Sequence, residues 1–366
     1  MPLYMDRHML PGATAKEVAE AHRKDLLFQN EHNCTCMTYW IDEKRGNVFC
    51  LIEAPTKESV EELHGRSHGM VPNTIIEVNP MVVESFLGRI TDPDEAEISE
   101  EGLKVFSDPS FRILLVTTIS DPVLMQHRLG TEKTKDLLVM HNVLIRKELT
   151  SYGGMEVEHD GAGFIASFTS AGKAVACAVA IRRGVTAAGL DAAGVRIALN
   201  AGDPVAKSDK LFGDTVQFAT HLCAIVKESQ IGISSSVKEL VAKDYFQNRQ
   251  SDFLTFSPSD EALLGLLFDK LGENWQDPEF NVEDYCQTMT MSKSQLYRKT
   301  IALSGYSPNS LLKEFRLEKA KERMKKYGHN ISQATFDSGF TSPSYFTKCF
   351  KKKFGLLPMV YLDLLH

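Results

Sequence analysis

The stretch Ile331-Ser-Gln-Ala-Thr-Phe-Asp-Ser-Gly-Phe-Thr-Ser-Pro-Ser-Tyr-Phe-Thr-Lys-Cys-Phe-Lys-Lys-Lys-Phe-Gly355 decides the fold of the last part of this 366-residue chain. It predicts a short helix, a turn at Gly339 and a longer helix that ends in three lysines. A similar unit precedes it over residues 282–300, where Ser292 is expected to cap the second helix. A helix over residues 308–326 joins the two. The sequence therefore predicts two helix-turn-helix units in tandem.

Each unit has a second helix whose exposed side is polar or basic. In the first unit Ser294, Gln295 and Arg298 are predicted to face outward, with Leu296 and Tyr297 facing inward. In the second unit Ser342 is expected to cap the second helix, and the residues predicted to face outward are Ser344, Thr347 and Lys348. The residues predicted to neutralise phosphates are Lys351, Lys352 and Lys353, and those predicted to pack inward are Tyr345, Phe346 and Phe350. Such a helix suits the major groove of DNA, with lysines on phosphates. Double-stranded DNA is therefore a predicted partner.

The charge is divided unevenly along the chain. Residues 281–366 contain 14 Lys and Arg against 7 Asp and Glu, a net charge of +7. Because the whole chain carries −7, residues 1–280 carry −14. A basic domain on an acidic body is the electrostatic arrangement of a DNA-binding domain joined to a separate sensor. The alternative, a lysine-rich solvated surface, leaves unexplained why the charge coincides with the tandem helix-turn-helix units.

Length and composition restrict the class of protein. A chain of 366 residues is expected to form two or three domains, and 43% hydrophobic with 24% charged residues is typical of globular proteins. No apolar run reaches the roughly 18 residues that a membrane span needs, and residues 1–8 show no secretory signal. Seven scattered cysteines favour a reducing compartment over a disulfide framework. We therefore expect a cytoplasmic protein without membrane contact.

Residues 1–85 are predicted to form the first domain. Their patterns run as strand, helix, hairpin, helix and strand, and a capping box of Thr14 and Glu17 opens the first helix. Residues 34–41 and 47–53 alternate as the two strands of the hairpin. This βαββαβ order predicts a ferredoxin-like α/β sandwich.

Four residues of this domain are candidate metal ligands: His22, Cys50, His64 and His68. His22 lies four residues after Val18 on the apolar side of the first helix, and His64 and His68 lie four residues apart on the second. Since both helices cover one face of such a sheet, these side chains are able to converge with Cys50 of the hairpin. Imidazole and thiolate suit zinc or nickel. The alternative is that each histidine is a surface or capped core residue.

The same region resembles the small nickel-binding domains once called DUF4242. The segments that carry the resemblance are Tyr4-Met-Asp-Arg-His8, Ala21-His-Arg-Lys-Asp25, Val48-Phe-Cys-Leu-Ile-Glu-Ala-Pro55 and His64-Gly-Arg-Ser-His-Gly69. The resemblance implies a ferredoxin-like fold, a tendency to dimerise and a bound divalent transition metal, nickel or zinc. It leaves open whether His8 or Asp6 belongs to the ligand set.

Residues 108–245 are predicted to form a second α/β domain, bounded by connectors at residues 91–101 and 248–258. The segments Leu115-Val-Thr-Thr-Ile-Ser120, His159-Asp-Gly-Ala-Gly-Phe-Ile-Ala-Ser-Phe168, Arg196-Ile-Ala-Leu-Asn-Ala-Gly202 and Leu211-Phe-Gly-Asp-Thr-Val216 resemble class III adenylate/guanylate cyclases. This resemblance implies a cyclase-like α/β domain that pairs head-to-tail and keeps a cleft at the seam.

The catalytic groups of that family are absent from the matching positions. Cyclisation needs two carboxylates that hold two divalent metal ions, but Thr118 and Ala162 stand at those places. Gln217 and His221 replace the Asn and Arg that orient ribose and stabilise charge. The expected domain is therefore not an enzyme. It is a pseudocyclase, which serves as a dimerisation platform or binds a nucleotide without turning it over; the alternative function is an active cyclase with a DNA-binding output domain.

Residues 262–366 are predicted to form an all-α domain that resembles the AraC/XylS family of transcription regulators. The motifs are Leu296-Tyr-Arg-Lys, Ser307-Pro, Phe315-Arg-Leu, Gly339-Phe, Ser344-Tyr-Phe and Phe350-Lys-Lys-Lys-Phe-Gly355. The resemblance implies two recognition helices in successive major-groove segments. Together the three parts predict a multidomain α+β transcription regulator, expected as a homodimer, whose body senses a metal or a small-molecule effector.

Overall fold

The structure is a computed structural model that describes residues 1–99, 103–161, 163–228, 230–242, 245–246, 252–328 and 330–365. Along the chain, these residues form a domain with a four-stranded sheet, a domain with a six-stranded sheet and a helical domain. The predicted fold class is confirmed.

The first domain has a ferredoxin-like topology. Its elements are β1 (Leu3–Met9), α1 (Ala15–Phe28), β2 (Thr35–Asp42), β3 (Asn47–Glu53), α2 (Lys57–Ser67), β4 (Thr74–Val78) and α3 (Pro80–Leu87). The strand order is β2-β3-β1-β4, and every neighbouring pair is antiparallel. Thr14 and Glu17 form the predicted capping box, which fixes where α1 begins. Helices α1 and α2 cover one face of this sheet.

The predicted connector at residues 91–101 contains structure of its own. β5 (Glu97–Ile98) pairs with β6 (Lys104–Val105), while residues 100 and 101 lie outside the described part of the chain. The following segment packs on the first domain, because the ring of Phe106 stacks on Tyr39 at a centroid distance of 4.2 Å. The Arg89 guanidinium lies over Trp40 and donates to Asp108. This segment is therefore part of the first domain's surface.

The second domain is built on the same strand order. Its elements are β7 (Arg112–Thr118), α4 (Pro122–Leu129), α5 (Thr131–Tyr152), β8 (Met155–His159), β9 (Gly163–Phe168), α6 (Ala171–Ala187), β10 (Arg196–Gly202), α7 (Gly213–Ile225), β11 (Ile231–Ile233), α8 (Ser235–Glu239) and β12 (Phe253–Thr255). The sheet order is β12-β11-β10-β7-β9-β8. Its segment β8-β9-β7-β10 repeats the ferredoxin-like order of the first domain, and β11 and β12 extend it in parallel.

The prediction that residues 248–258 form a connector is wrong for residues 253–255, which are β12. Phe253 is buried and pairs with Ile231 at the edge of the sheet. The three-residue strand was hidden by the polar residues around it, since so short a run shows no periodicity. Residues 248–251 of this prediction lie outside the described residues.

The two sheets pack against each other on the faces that their βαβ helices leave open. In β7, Ile113 and Leu115 point toward α5 and α6, whereas Leu114 points toward the first domain. Leu114 shares a buried cluster with Met5, Trp40, Phe49, Leu51 and Phe212. The two ferredoxin-like units are therefore joined through one apolar core.

Buried polar contacts fix the relative placement of the two units. The Arg112 side chain is buried, and its Nε and Nη2 donate to the carbonyls of Phe86 and Leu87, each at 3.2 Å. Ser167 Oγ also donates to the Phe86 carbonyl, at 2.8 Å. These groups satisfy the carbonyls at the end of α3 that its own hydrogen bonds leave free.

The third domain contains both predicted helix-turn-helix units. Its helices are α9 (Pro258–Asn274), α10 (Val282–Thr288), α11 (Lys293–Ser304), α12 (Pro308–Tyr327), α13 (Ile331–Phe336), α14 (Pro343–Phe354) and α15 (Pro358–Asp363). Helices α10 and α11 form the first unit, α13 and α14 the second, and α12 connects them. Residues 292 and 342 cap α11 and α14 as predicted.

Helices that flank the two helix-turn-helix units contact the second domain at two separate places. On the side of the first unit, α9 packs against α7, where the His221 and Phe268 rings stack at 4.2 Å. On the side of the second, Asp121 Oδ2 accepts a hydrogen bond from Tyr361 at 3.0 Å and lies 3.4 Å from Lys321 Nζ. The same Asp121 caps α4. The second domain thus holds both units in a defined arrangement.

No helix in the described part of the chain combines the length and apolar character that a membrane crossing needs.

The turn of the second unit requires glycine. Gly339 has a φ of 72°, and a Cβ there would clash with the Trp275 carbonyl oxygen and lie 2.8 Å from Arg316 Nε. We predict that Gly339→Ala lowers the free energy of unfolding by roughly 1–3 kcal/mol, because backbone strain and overlap add. Chemical denaturation measures this. Gly272→Ala is the control, since Gly272 lies in α9 with nothing near its Cβ position; equal effects of both variants would contradict the packing argument.

Candidate functional sites

Buried acidic, histidine and cysteine side chains converge in the first domain. Two groups have ligand atoms within 4.8 Å of one another: one is Asp6, His8, Cys50 and His64, and the other is Asp25, His64 and His68. β1 supplies Asp6 and His8, β3 supplies Cys50, α1 supplies Asp25, and α2 with its C-terminal cap supplies the other two histidines. The groups therefore share His64.

The ring of His64 lies between two carboxylates. Its Nε2 is 2.8 Å from Asp6 Oδ2, and its Nδ1 is 3.2 Å from Asp25 Oδ1 and 3.0 Å from His68 Nε2. Burial disfavours a charged imidazole, but the two carboxylates outweigh it and raise the pKa of His64 to about 10. Both ring nitrogens then carry protons and donate to the carboxylates.

The charges of the two aspartates are stabilised in return. Burial alone would raise the pKa of Asp6, but His8 and His64 nearby hold it well below its usual range. Asp6 Oδ1 also accepts a hydrogen bond from the Cys50 backbone N–H at 3.1 Å. Burial and the neighbouring carboxylates raise the pKa of the Cys50 thiol far above normal. The raised pKa of His64 therefore places a positive charge between the two carboxylates.

His22 lies outside both groups. Its Nε2 is 3.8 Å from Asp92 Oδ2 in the segment after α3, and its ring packs on Tyr39 at 5.2 Å. The residue of α1 that faces the cluster is Asp25, three positions further along. The spacing of His22 from Val18 predicted correctly that His22 is buried, but it did not predict which residues His22 contacts.

The other sequence candidates come together. Cys50, His64 and His68 belong to the two groups, as do His8 and Asp6, which the sequence left open. Asp25 was missed, although its signal was present: it follows His22 by three residues on the same helix and belongs to the segment 21–25 that carries the family resemblance.

The donor set fits a transition-metal ion. Donor atoms around a tetrahedral ion at 2.0–2.3 Å lie about 3.3–3.8 Å apart, so atoms now within 4.8 Å need to move little. Nitrogen, sulfur and carboxylate oxygen together suit zinc or nickel better than calcium or magnesium. An ion on Nε2 of His64 would leave its Nδ1 facing Asp25, the carboxylate–histidine arrangement that orients a ligand ring.

A cavity of about 460 Å³ adjoins the cluster. Cys50, His8, Asp25 and His68 line it, as does His22, while Asp6 and His64 lie behind them.

The helix α11 presents the predicted polar face to solvent. Ser294, Gln295 and Arg298 are exposed, and Leu296 is buried. Gln295 has a structural role as well, because its Oε1 accepts a hydrogen bond from the Ser292 backbone at 3.2 Å in a capping box. Among the described residues, Arg298 has no ion pair or hydrogen bond to its side chain.

The exposed face of α14 differs in part from the prediction. Ser344, Lys348, Lys351 and Lys352 are exposed, Ser342 caps the helix and Thr347 is half-buried. The prediction that Tyr345 packs inward is wrong, because its side chain is 54% exposed. Phe346 and Phe350, four residues apart, define the buried face, and Tyr345 is turned about 100° from Phe346.

Lys353 is engaged within the protein. Its Nζ lies 2.7 Å from Glu314 Oε2 and 3.0 Å from Glu318 Oε1 of α12, and the side chain is mostly buried. These two ion pairs fasten α14 to α12, and the prediction that Lys353 neutralises phosphate stays a prediction. Lys351 and Lys352 remain at the end of the helix, where cations are favoured by the helix dipole.

The positions at which the sequence resemblance would place cyclase catalytic residues face the third domain. Thr118, Gln217 and His221 line a cleft between the second and third domains, with Lys321 and Glu318 on the opposite wall. Burial and Lys319 lower the pKa of His221 to about 4, so its ring is neutral where it stacks on Phe268. Ala162 lies outside the described residues.

Comparison with known families divides the chain in the same way. Residues 4–78 match the model described as nickel responsive protein SCO4226-like, and residues 285–363 match a helix-turn-helix domain. The solved SCO4226 from Streptomyces coelicolor is 32% identical, covering 21% of this chain and 94% of that one, with a TM-score of 0.20. A bacterial light-regulated adenylyl cyclase is 14% identical over 66% of this chain and 87% of that one, with a TM-score of 0.33.

Two curated relatives share part of the chain. Histidine kinase P4 from Formosa agariphila is 36% identical over 108 residues, and the transcriptional regulator MtrA from Neisseria gonorrhoeae is 30% identical over 98 residues. These stretches cover 30% and 27% of this chain, but only 8% and 32% of the relatives. The resemblance predicted for the first domain is confirmed, since the chain carries an SCO4226-like domain over residues 4–78, and a helix-turn-helix domain is confirmed over residues 285–363.

Proposed function

We propose that this protein is a cytoplasmic transcription regulator that binds double-stranded DNA through α11 and α14. The observation that carries the proposal is the pair of helix-turn-helix units whose second helices expose polar residues at their N-terminal ends. Arg298 is the main base-reading residue, since its guanidinium is exposed and arginine pairs with guanine in the major groove. Lys351 and Lys352 contact phosphates. Helix-turn-helix regulators among the relatives support the same function.

Replacing one base-reading and one phosphate-binding residue separates the two roles. We predict that Arg298→Ala weakens binding to the selected site by about 1–3 kcal/mol and relaxes preference at one base pair. Lys352→Ala weakens binding to all sequences alike and lowers the salt slope by about 1. Sites selected from random DNA, followed by affinity measurements at several salt concentrations, test both. Equal losses for Arg298→Ala on selected and random DNA would reject the readout role.

We also infer that the first domain binds one divalent transition-metal ion, with nickel favoured by the family description and zinc as the alternative. The four-donor group of Asp6, His8, Cys50 and His64 holds the ion, and Asp25 orients His64. Because the thiol of Cys50 and the ring of His64 are protonated without metal, binding releases protons. The ion is the first candidate effector of the regulator.

Metal binding is predicted to depend on Cys50 and not on His22. Cys50→Ser keeps the side-chain shape but removes the soft donor, so the affinity for nickel or zinc should fall by about tenfold or more. His22→Ala is the control, since His22 is buried in the same domain but lies outside both ligand groups. Isothermal titration of chelator-treated protein measures both. A larger loss in His22→Ala than in Cys50→Ser would place the ion elsewhere.

The second domain is proposed to be a pseudocyclase that connects sensor and output. At the end of β7, Thr118 stands where the resemblance requires a carboxylate, and His221 is stacked against Phe268. We predict no cyclic nucleotide when the protein is incubated with ATP or GTP and Mn²⁺; its appearance would establish the alternative, an active cyclase. Binding of an unreacted nucleotide by the cyclase-like domain stays a prediction, which a thermal-shift titration tests.

Homodimerisation also stays a prediction, and the fold restricts how it can occur. The face of the second sheet opposite α5 and α6 is covered by the first domain and by α7 with α9. A dimer must therefore use other surfaces. On α5, the exposed side chains of Val139, Met140 and Val143 form an apolar patch of the kind that such contacts use.

A further inference from the structure

We propose that the cavity beside the metal cluster binds a small apolar molecule that carries one metal-coordinating donor, such as an imidazole or a thiol. This inference rests on the proposed metal site and adds a second effector to it. The cavity volume of about 460 Å³ lies within the range of sites for small organic ligands, roughly 300–1,000 Å³. The donor of the organic ligand would coordinate the ion, while its apolar body would occupy the cavity.

The cavity borders the metal-ligand cluster directly. His8 and Cys50, two of the four proposed ligands, line the cavity wall, whereas Asp6 and His64 are behind it. A molecule that enters the cavity therefore reaches the ion from the side of His8 and Cys50. A donor atom from that side can expand the coordination of the ion, as substrates do at catalytic zinc sites.

The walls of the cavity determine the rest of the ligand. They are largely apolar and come from the strand–helix connection, α1, β3 and the segment after α2, namely Met9, Leu10, Val18, Ala21, Val48 and Met70. Met9 is 55% exposed and Leu10 is half-buried, so this side of the cavity opens to solvent. An apolar body gains from burial here, at about 25 cal/mol per Å².

His22 gives the cavity a connection to the rest of the chain. It lines the cavity and lies 3.8 Å from Asp92, in the segment that leads from the first domain to the second. A ligand that contacts His22 therefore touches a residue held by that segment.

The experiment uses the full chain loaded with Co²⁺, whose visible spectrum reports its ligands. The probes are 4-phenylimidazole, imidazole as the donor without the apolar body, and toluene as the apolar body without the donor. We expect 4-phenylimidazole to bind at least about tenfold more tightly than imidazole when both are titrated against the cobalt spectrum. This corresponds to a difference of about 1.4 kcal/mol in binding free energy. Toluene should bind without changing the spectrum.

Two variants test whether the cavity is responsible. Ala21→Phe fills it from α1 without replacing a ligand, so it should keep the cobalt spectrum and lose the preference for the aryl probe. Leu27→Phe is the matched control, because Leu27 lies on the same helix and is 69% exposed. Met70→Trp fills the cavity from another segment if Ala21→Phe does not fold.

The outcomes separate the two proposals. Absence of cobalt binding in the unaltered protein overturns the metal site and the ligand pocket together. Cobalt binding with equal affinity for imidazole and 4-phenylimidazole, or an aryl preference that survives both cavity-filling variants, leaves the metal site standing and overturns the pocket.

Discussion

The apolar interface between the two sheets is the interaction on which the rest of the structure depends. Leu114 of the second sheet and Met5, Trp40 and Phe49 of the first are buried in one cluster, and Arg112 binds the carbonyl ends of α3 across it. Each sheet needs cover on the face that its βαβ helices leave open. Because each domain supplies part of the other's core, the first domain is a structural part of the body.

Strand β7 connects this interface with the output domain. Leu114 packs toward the first domain, and Val116, two residues later on the same face, packs toward α7 and α9. At the end of the strand, Asp121 binds Tyr361 and Lys321 of the second helix-turn-helix side. One strand with the turn that follows it is therefore in contact both with the first domain and with the elements that flank α11 and α14. Coupling of this kind needs two arrangements of the same contacts, and the network through β7 and Asp121 is where they would differ.

Sequence patterns predicted correctly the features that depend on residues close together in the chain. The capping box at Thr14, the βαββαβ order and the buried pair Phe346 and Phe350 follow from spacing of three, four or two residues, and the structure has them. What depends on distant partners was missed. No periodicity shows that Lys353 meets Glu314 and Glu318, and the spacing of His22 says nothing about Asp92, seventy residues away. The repeated strand order of the first two domains was not predicted, because strand order depends on pairings between segments that are distant in the sequence.

His64 balances the charge of the buried cluster in the first domain. Two buried carboxylates without a cation between them would repel each other and destabilise the domain. Here the imidazolium of His64 lies between Asp6 and Asp25, so the cluster remains compensated without metal. In the proposed metal-bound state, an ion would replace protons on His64 and Cys50, while the surrounding sheet and helices would keep their core of Tyr39, Val60 and Leu63. Small zinc domains that lack such a core unfold when the metal leaves. A domain that stays folded in both states would change only its local charge and donor geometry, and the cavity lined by His8, Cys50 and His22 lies directly beside that change.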